Sequence, residues 1–423
     1  MNPQTLSLFK QLLGDSFFYF LTKIIPGITG LLSVIVFMRW VGPDGYGQFT
    51  LLLSFVMATG ALSSGWLNQA LLRYFSQDEN KVEFPRIIFQ GTLLSILIGF
   101  IILLAGYYFF LDLNIFGFLV IYLFLISIIF FRLKSSLLQA GLKPKKVTQI
   151  SVIQSILGLV IPVLFLIGFN HFLSIIAGIS IAYLLTGYQK NRFQSNNSIP
   201  FTNDRRNLIL LKYFSFGIPL SFRIFLGLLI PFLDRWFIMF FLDKSVTGFY
   251  AGYSEIIMRV FSIILFPITM AIHPRATHLW NQGKERESLD LVKKGIWIQT
   301  GIFFLAFMIF ILFEMRFFQL TKMLIPGLNT DFAVLGMPIF LSGFLWQVSL
   351  LIHKPLELSE KPKKMIWAIV FSLGVVVFGN ALYLPRFGVL ATAYTSVASA
   401  MVYIISILIL IKFDNNSRTK NEY

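Results

Sequence analysis

The chain has 423 residues, of which 57% are hydrophobic, 17% aromatic and only 13% charged. Soluble proteins carry about 25% charged residues, so this chain lacks the polar surface to coat a water-soluble globule, which excludes a soluble enzyme, a disordered chain and a nucleic-acid-binding domain. The excess of 35 Lys and Arg over 19 Asp and Glu reads as loops facing anionic lipid, and with no cysteine there is no disulfide, thiolate metal site or Cys nucleophile.

A membrane span needs about 20 apolar residues, and twelve stretches qualify. In chain order they cover 16–38, 46–70, 87–111, 115–137, 148–169 and 171–188, then 211–241, 247–273, 293–313, 332–353, 364–384 and 388–411. The seventh and eighth exceed one span and must tilt, bend or project. No small-residue cleavage site follows the first run, so it reads as a retained helix and not a signal peptide.

With the N-terminus in the cytoplasm, 26 of the 35 Lys and Arg fall on inner segments, five on outer ones and four inside helices. That asymmetry places both termini inside. The outer loops are short, the longest covering 314–331, which leaves no external domain for sugar polymerisation or ligation.

The polar stretch 189–207 separates six spans from six. Features recur across it: Gly47 and Gly248 are 201 residues apart, Arg73 and Arg275 202, Glu83 and Glu285 202, Lys23 and Arg223 200. The spacing predicts a duplicated six-helix unit with parallel topology, a framework for alternating access. The expected fold is an all-α integral membrane protein with about twelve transmembrane helices in two parallel-repeat bundles around a central cavity. Residues 1–190 form the N-terminal bundle, 191–207 a cytoplasmic linker and 208–423 the C-terminal bundle.

A charge at the centre of a membrane helix costs about 2.5–3.5 kcal/mol on insertion scales, so it must face a partner or a cavity. The first such group is Asp234, Arg235, Glu255 and Arg259, on the seventh and eighth spans. Glu255 and Arg259 are spaced i,i+4 and can pair, and a tight hairpin brings all four to similar depth. The set is formally neutral, and reads either as a structural ion-pair network or as a coupling site for H+ or Na+. The second group is Lys23 and Arg223, which have no acid within two turns on their own helices. Lys23 precedes Pro26, Gly27 and Gly30; Arg223 follows Gly217 and Pro219. Broken helices are tolerated where backbone lines a cavity. Two unpaired cations at matching positions suggest an anion site suited to a diphosphate, or else side chains reaching to the inner headgroups.

His171 and His353 sit at helix ends, His273 and His278 near the inner face, and none has metal-ligand spacing. No Gly-rich phosphate loop and no Ser/His/Asp arrangement is present.

Several segments carry a family resemblance. The run Val41-Gly42-Pro43-Asp44-Gly45-Tyr46-Gly47-Gln48-Phe49 resembles the first external turn of the bacterial polysaccharide-biosynthesis flippases, the Wzx-type exporters of the MATE-like MOP superfamily. The segment from Trp66 to Ser76 is similar to the end of their second helix. Asp234-Arg235-Trp236-Phe237 with Val246-Thr247-Gly248-Phe249-Tyr250 is similar to their seventh-helix signature, and Asn380 to Gly388 to their last hairpin, although Val389-Leu390-Ala391-Thr392-Ala393 replaces the Gly-rich continuation. The resemblance implies two bundles about a V-shaped cavity in the bacterial cytoplasmic membrane, with no enzyme activity and no cofactor. It further implies translocation of an undecaprenyl-diphosphate-linked oligosaccharide from the cytoplasmic to the outer leaflet, driven by an ion gradient or by the substrate gradient. Membrane lipid and the polymerase and glycosyltransferases of the same pathway are the implied partners, and nucleic acid is not one. An ion-coupled drug antiporter of the same fold predicts an acidic cavity instead, and a membrane glycosyltransferase predicts external carboxylates, for which Asp44, Asp112 and Asp243 on short turns are poor candidates.

Overall fold

Apolar runs of this length can cross lipid only as helices or closed barrels, because every backbone amide must be satisfied internally. The computed structural model takes the helical solution: among the described residues there is no strand. It describes the backbone of residues 3–78, 84–109, 113–188, 203–359 and 361–420, and side chains from 24–75, 84–109, 113–188, 207–359, 361 and 364–413. The elements are α1 (Pro3–Asp78), α2 (Phe84–Phe109), α3 (Ile115–Ala140), α4 (Pro144–Gly168), α5 (Phe172–Gly187), α6 (Asn203–Phe241), α7 (Lys244–Asn281), α8 (Glu285–Leu324), α9 (Gly336–Ile352), the short α10 (Lys354–Leu358), α11 (Pro362–Phe387) and α12 (Val389–Lys420).

Ten helical stretches among the described residues are long and apolar enough to cross a membrane. The two fewer than the twelve expected come from α1 and α5. The expected spans 16–38 and 46–70 both lie in α1, which counts once, and α5 is a shorter apolar helix of 16 residues. α1 is not straight. Gly42 sits at φ 71, ψ 177, in the left-handed half of the map that L residues avoid. Pro43 follows it, at a position suited to the first turn of a new helix arm. A similar device separates α11 from α12, where Gly388 has φ 62. The long helices α6 and α7, with 39 and 38 residues, match the two spans expected to exceed one bilayer thickness, and α8, with 40 residues, is longer than the expected span 293–313.

The chain divides into two compact units. The first comprises 1–29 with 48–228, and the second 30–47 with 229–423. The expected division at 191–207 differs from this: 30–47 cluster with the later helices, and 208–228 with the earlier ones. α6 passes from one unit to the other partway along its length, and α1 gives the stretch 30–47, which holds the Gly42 break, to the second unit. In the first unit, Ser221 of α6 donates its hydroxyl to the Ala61 carbonyl at 2.7 Å, and Gly217 lies against the backbone of Trp66 too closely to admit a Cβ. Around that crossing Trp66, Leu67, Leu71, Phe84, Ile87 and Tyr213 form a buried core.

In the second unit the turn of α1 meets the start of α7. A Cβ on Gly248 would overlap the Pro43 carbonyl, and one on Gly47 would overlap the Lys244 carbonyl. Close backbone approach through small residues is how membrane helices gain packing energy without a hydrophobic drive. Gly248→Ala is therefore expected to destabilise the protein by about 1–3 kcal/mol, the range for overpacking a tight contact. Thermal unfolding in detergent checks this, and an unchanged midpoint would show that the turn has room to give.

Candidate functional site

The charged set of the second unit is built on the α6–α7 hairpin. Asp243 closes it: its carboxylate accepts the Val246 amide at 2.8 Å and its carbonyl accepts the Thr247 hydroxyl at 2.7 Å, capping α7. The tight cap brings the last turns of α6 beside the first turns of α7. Asp234 and Arg235 are adjacent on α6 and so point about 100° apart; the two side chains enter different environments.

Arg235 turns towards Glu255. Its Nη2 donates to Glu255 Oε1 at 2.7 Å, an ion pair between two helices. Arg259, one turn along α7, donates from Nη2 to Glu255 Oε2 at 3.3 Å, and the Tyr46 hydroxyl donates to the same oxygen at 3.3 Å. Glu255 is thus held by two guanidiniums and a phenol. The Arg259 guanidinium lies against Gly30 of α1, where any Cβ would overlap it. Gly30, read in the sequence only as a helix breaker, is the space in which this arginine sits.

Asp234 turns the other way and finds only neutral donors. The Tyr250 hydroxyl donates to Oδ2 at 3.4 Å and Asn380 Nδ2 of α11 donates to Oδ1 at 3.1 Å. Among the described residues no cation lies within ion-pair distance of it. Asp234 is 5% exposed and Asn380 fully buried, and the Asn380 Oδ1 oxygen has no partner among the described residues. The two carboxylates therefore have different surroundings: Glu255 is ion-paired in place, and Asp234 is buried among neutral hydrogen-bond donors.

Arg223 lies on α6 in the first unit, half-buried, with no hydrogen bond or ion pair among the described residues. It is about 200° round the helix from Ser221, so it points away from the contact that ties α6 to α1. The backbone of Lys23 is helical within α1, and its side chain lies outside the described residues. Among the described residues no three His, Asp or Glu come together to hold a metal.

Tyr46, Tyr250 and Asn380 were not singled out as site residues in the sequence, yet all three lie in the segments that carry the family resemblance. A second polar group was also missed. His273 of α7 contacts Lys354, which is 2% exposed and donates to Glu357 at 2.9 Å, while the Tyr403 hydroxyl meets His353 Nδ1 at 3.1 Å. His273, which is exposed, and His353, which is half-buried, thus both contact polar partners around the buried Lys354.

Known proteins agree with this architecture. The lipid II flippase MurJ in an inward closed conformation superposes with a TM-score of 0.73 at 13% identity, over 92% of this chain and 86% of that one. A multidrug resistance MATE family transporter of the MOP superfamily, in an inward-facing conformation, gives 0.67 at 13% identity, over 94% and 96%. The Vibrio cholerae MATE transporter VcmN in its bent form gives 0.59 at 12% identity, over 97% and 98%. These likenesses establish the fold: an all-α, multi-pass membrane protein of MATE-like type. No curated protein matches the chain by sequence. The family model described as polysaccharide biosynthesis protein matches residues 12–280, more than half of the chain. The chain belongs to the polysaccharide biosynthesis protein family.

Proposed function

We propose that the protein is a flippase that moves an undecaprenyl-diphosphate-linked oligosaccharide from the cytoplasmic to the outer leaflet by alternating access, for the making of a cell-surface polysaccharide. The family and the MATE-like fold support a membrane transporter. The observation that carries the choice of cargo is the sorting of charge. In the second unit Glu255 is held by two arginines and Asp234 by two neutral donors, whereas Arg223 has no hydrogen bond or ion pair among the described residues. A carrier for cationic drugs needs an unsatisfied acid facing its cargo; a carrier for a diphosphate needs an unsatisfied cation. Lys23 is the second proposed contact to the diphosphate. The protein resides in the bacterial cytoplasmic membrane with both termini inside, and it works beside the polymerase and glycosyltransferases of its pathway.

Energy comes from an H+ or Na+ gradient, and Asp234 is the group that takes the ion. Protonating or metallating Glu255 would strand two arginines, whereas Asp234 can change occupancy without breaking an ion pair. Asp234→Asn should preserve folded yield, because the new amide oxygen can still accept from Asn380 Nδ2 and its NH2 can donate to the Tyr250 hydroxyl. The same variant should lose the pH or Na+ dependence of transport. A wild-type dependence in Asp234→Asn would remove the residue from the coupling role.

A deletion strain tests the reading as a whole. It should build up lipid-linked oligosaccharide in the inner leaflet and lose the surface polymer. Normal surface polymer, or a strain whose only defect is drug sensitivity, would contradict it.

A further inference from the structure

Arg132 stands apart from the charged groups already described. Counting charges along the sequence places it on an inner segment, but it lies within α3, in a stretch apolar enough to span. Side chains on a helix lean towards its N-terminus, and this one leans away from the nearby end of α3. Its Nη2 reaches Met57 Sδ of α1 at 3.5 Å, and its Nη1 is 3.5 Å from where a Cβ on Gly60 would stand. Met57 is roughly 16 Å along α1 from Tyr46 and about 24 Å from Arg73, at 1.5 Å per residue. The guanidinium is therefore held well inside the apolar layer, the opposite of reaching to the headgroups.

A thioether is a weak acceptor, and it is the one acceptor Arg132 has among the described residues. Two neighbouring facts sharpen this. Lys134, two residues on, is fully provided for: it donates to the carbonyls of Thr186 at 2.7 Å and Tyr188 at 2.8 Å, closing the C-terminal end of α5. And the same stretch of α1 carries two buried hydroxyls, Thr59 and Ser63, that have no hydrogen-bond partner among the described residues and do not turn to the guanidinium. The first unit thus keeps a half-buried arginine at membrane depth, packed beside Gly60, with a thioether as its one hydrogen-bond acceptor among the described residues. An arginine fork matches the geometry of phosphate oxygens.

We infer that Arg132 is an anion-binding residue that receives a phosphate of the lipid-linked diphosphate during transport. This rests on the flippase reading for the source of the anion; the binding chemistry does not.

The test is ligand-induced stabilisation of the full-length protein in phosphatidylcholine nanodiscs, at constant ionic strength, with pyrophosphate as probe and sulfate as control. A ligand that binds only the folded state raises the melting temperature. Pyrophosphate should raise that of the wild type, and Arg132→Gln should lower the shift to less than half while leaving the ligand-free melting temperature equal or higher, since an unpaired cation has been removed. Arg132→Lys should keep an intermediate shift. Met57→Glu, which supplies an internal carboxylate, should raise the ligand-free value and abolish the response. A full shift in Arg132→Gln overturns the inference. So does a ligand-free loss of stability in Arg132→Gln, which would make the residue structural. If phosphatidylglycerol in the nanodisc gives the same Arg132-dependent shift and pyrophosphate adds nothing, the anion is a bilayer headgroup and the substrate assignment falls. An Arg132-dependent pyrophosphate shift with normal surface polymer in the deletion strain would leave the site standing and remove the flippase reading alone.

Discussion

Replacing Glu255 with glutamine is expected to cost about 3–5 kcal/mol and most of the folded yield, the penalty for leaving one side of a buried ion pair uncompensated. The effect is large because Glu255 serves two cations at once. Arg235, with its side chain only 9% exposed, would keep its charge and lose its ion-pair partner. Tyr46 would keep its hydroxyl against a weaker acceptor, loosening the turn of α1 from α7. Arg259→Gln should cost much less: its side chain is 33% exposed and the shorter Arg235–Glu255 pair survives it. The double variant Arg235→Gln with Glu255→Gln should recover much of the single loss, because both charges leave together. Fluorescence-detected size exclusion on detergent extracts measures all three. Wild-type yield in Glu255→Gln would show that the pair is not a structural lock.

The second large effect falls on transport and not on folding. Arg223→Ala should abolish export of the lipid-linked oligosaccharide while the protein reaches the membrane in normal amount. No bond is lost with the side chain, since none is made among the described residues, so stability has no reason to fall. The diphosphate must cross a region of low dielectric, and a fixed cation offsets part of its desolvation. One or two cations at such a site also allow release, which a dense basic cage would hinder. Arg223→Lys should keep partial export, because charge survives while the two-pronged hydrogen bonding is lost. Surface polymer per unit of membrane-inserted protein is the readout; normal export by Arg223→Ala would remove the residue from the substrate path.

Hydropathy made the helices legible, because in lipid the backbone has almost no other choice. It also left a gap between the spans 16–38 and 46–70, where Gly42 takes a positive φ and Pro43 follows it. The Glu255–Arg259 spacing and the tight α6–α7 loop were enough to expect an inter-helix ion pair, which is Arg235–Glu255. Three things were not legible. The donors Tyr46, Tyr250 and Asn380 reach the carboxylates from α1, α7 and α11, and a lone hydroxyl or amide in an apolar helix has no spacing that announces its partner. The unequal fates of Asp234 and Glu255 follow from which face of α6 meets α11, a tertiary fact. And Arg132 and Lys134, near one end of a span, look alike in sequence; only the fold shows that one caps α5 and the other turns inward. The boundaries of the compact units inside α1 and α6 were hidden for a related reason, since composition does not change where a helix passes from one unit to the other.

The most direct measurement of the central claim is leaflet-resolved transfer by the purified protein. Proteoliposomes loaded with lipid-linked oligosaccharide in one leaflet would be sampled over time with a sugar-modifying probe that cannot cross the bilayer. Wild-type protein should bring the oligosaccharide to the opposite leaflet well above the protein-free rate, Asp234→Asn should do so without response to pH or Na+, and Arg223→Ala should not exceed the protein-free rate. Transfer by wild-type protein no faster than in protein-free liposomes, under either ion gradient, would contradict the account.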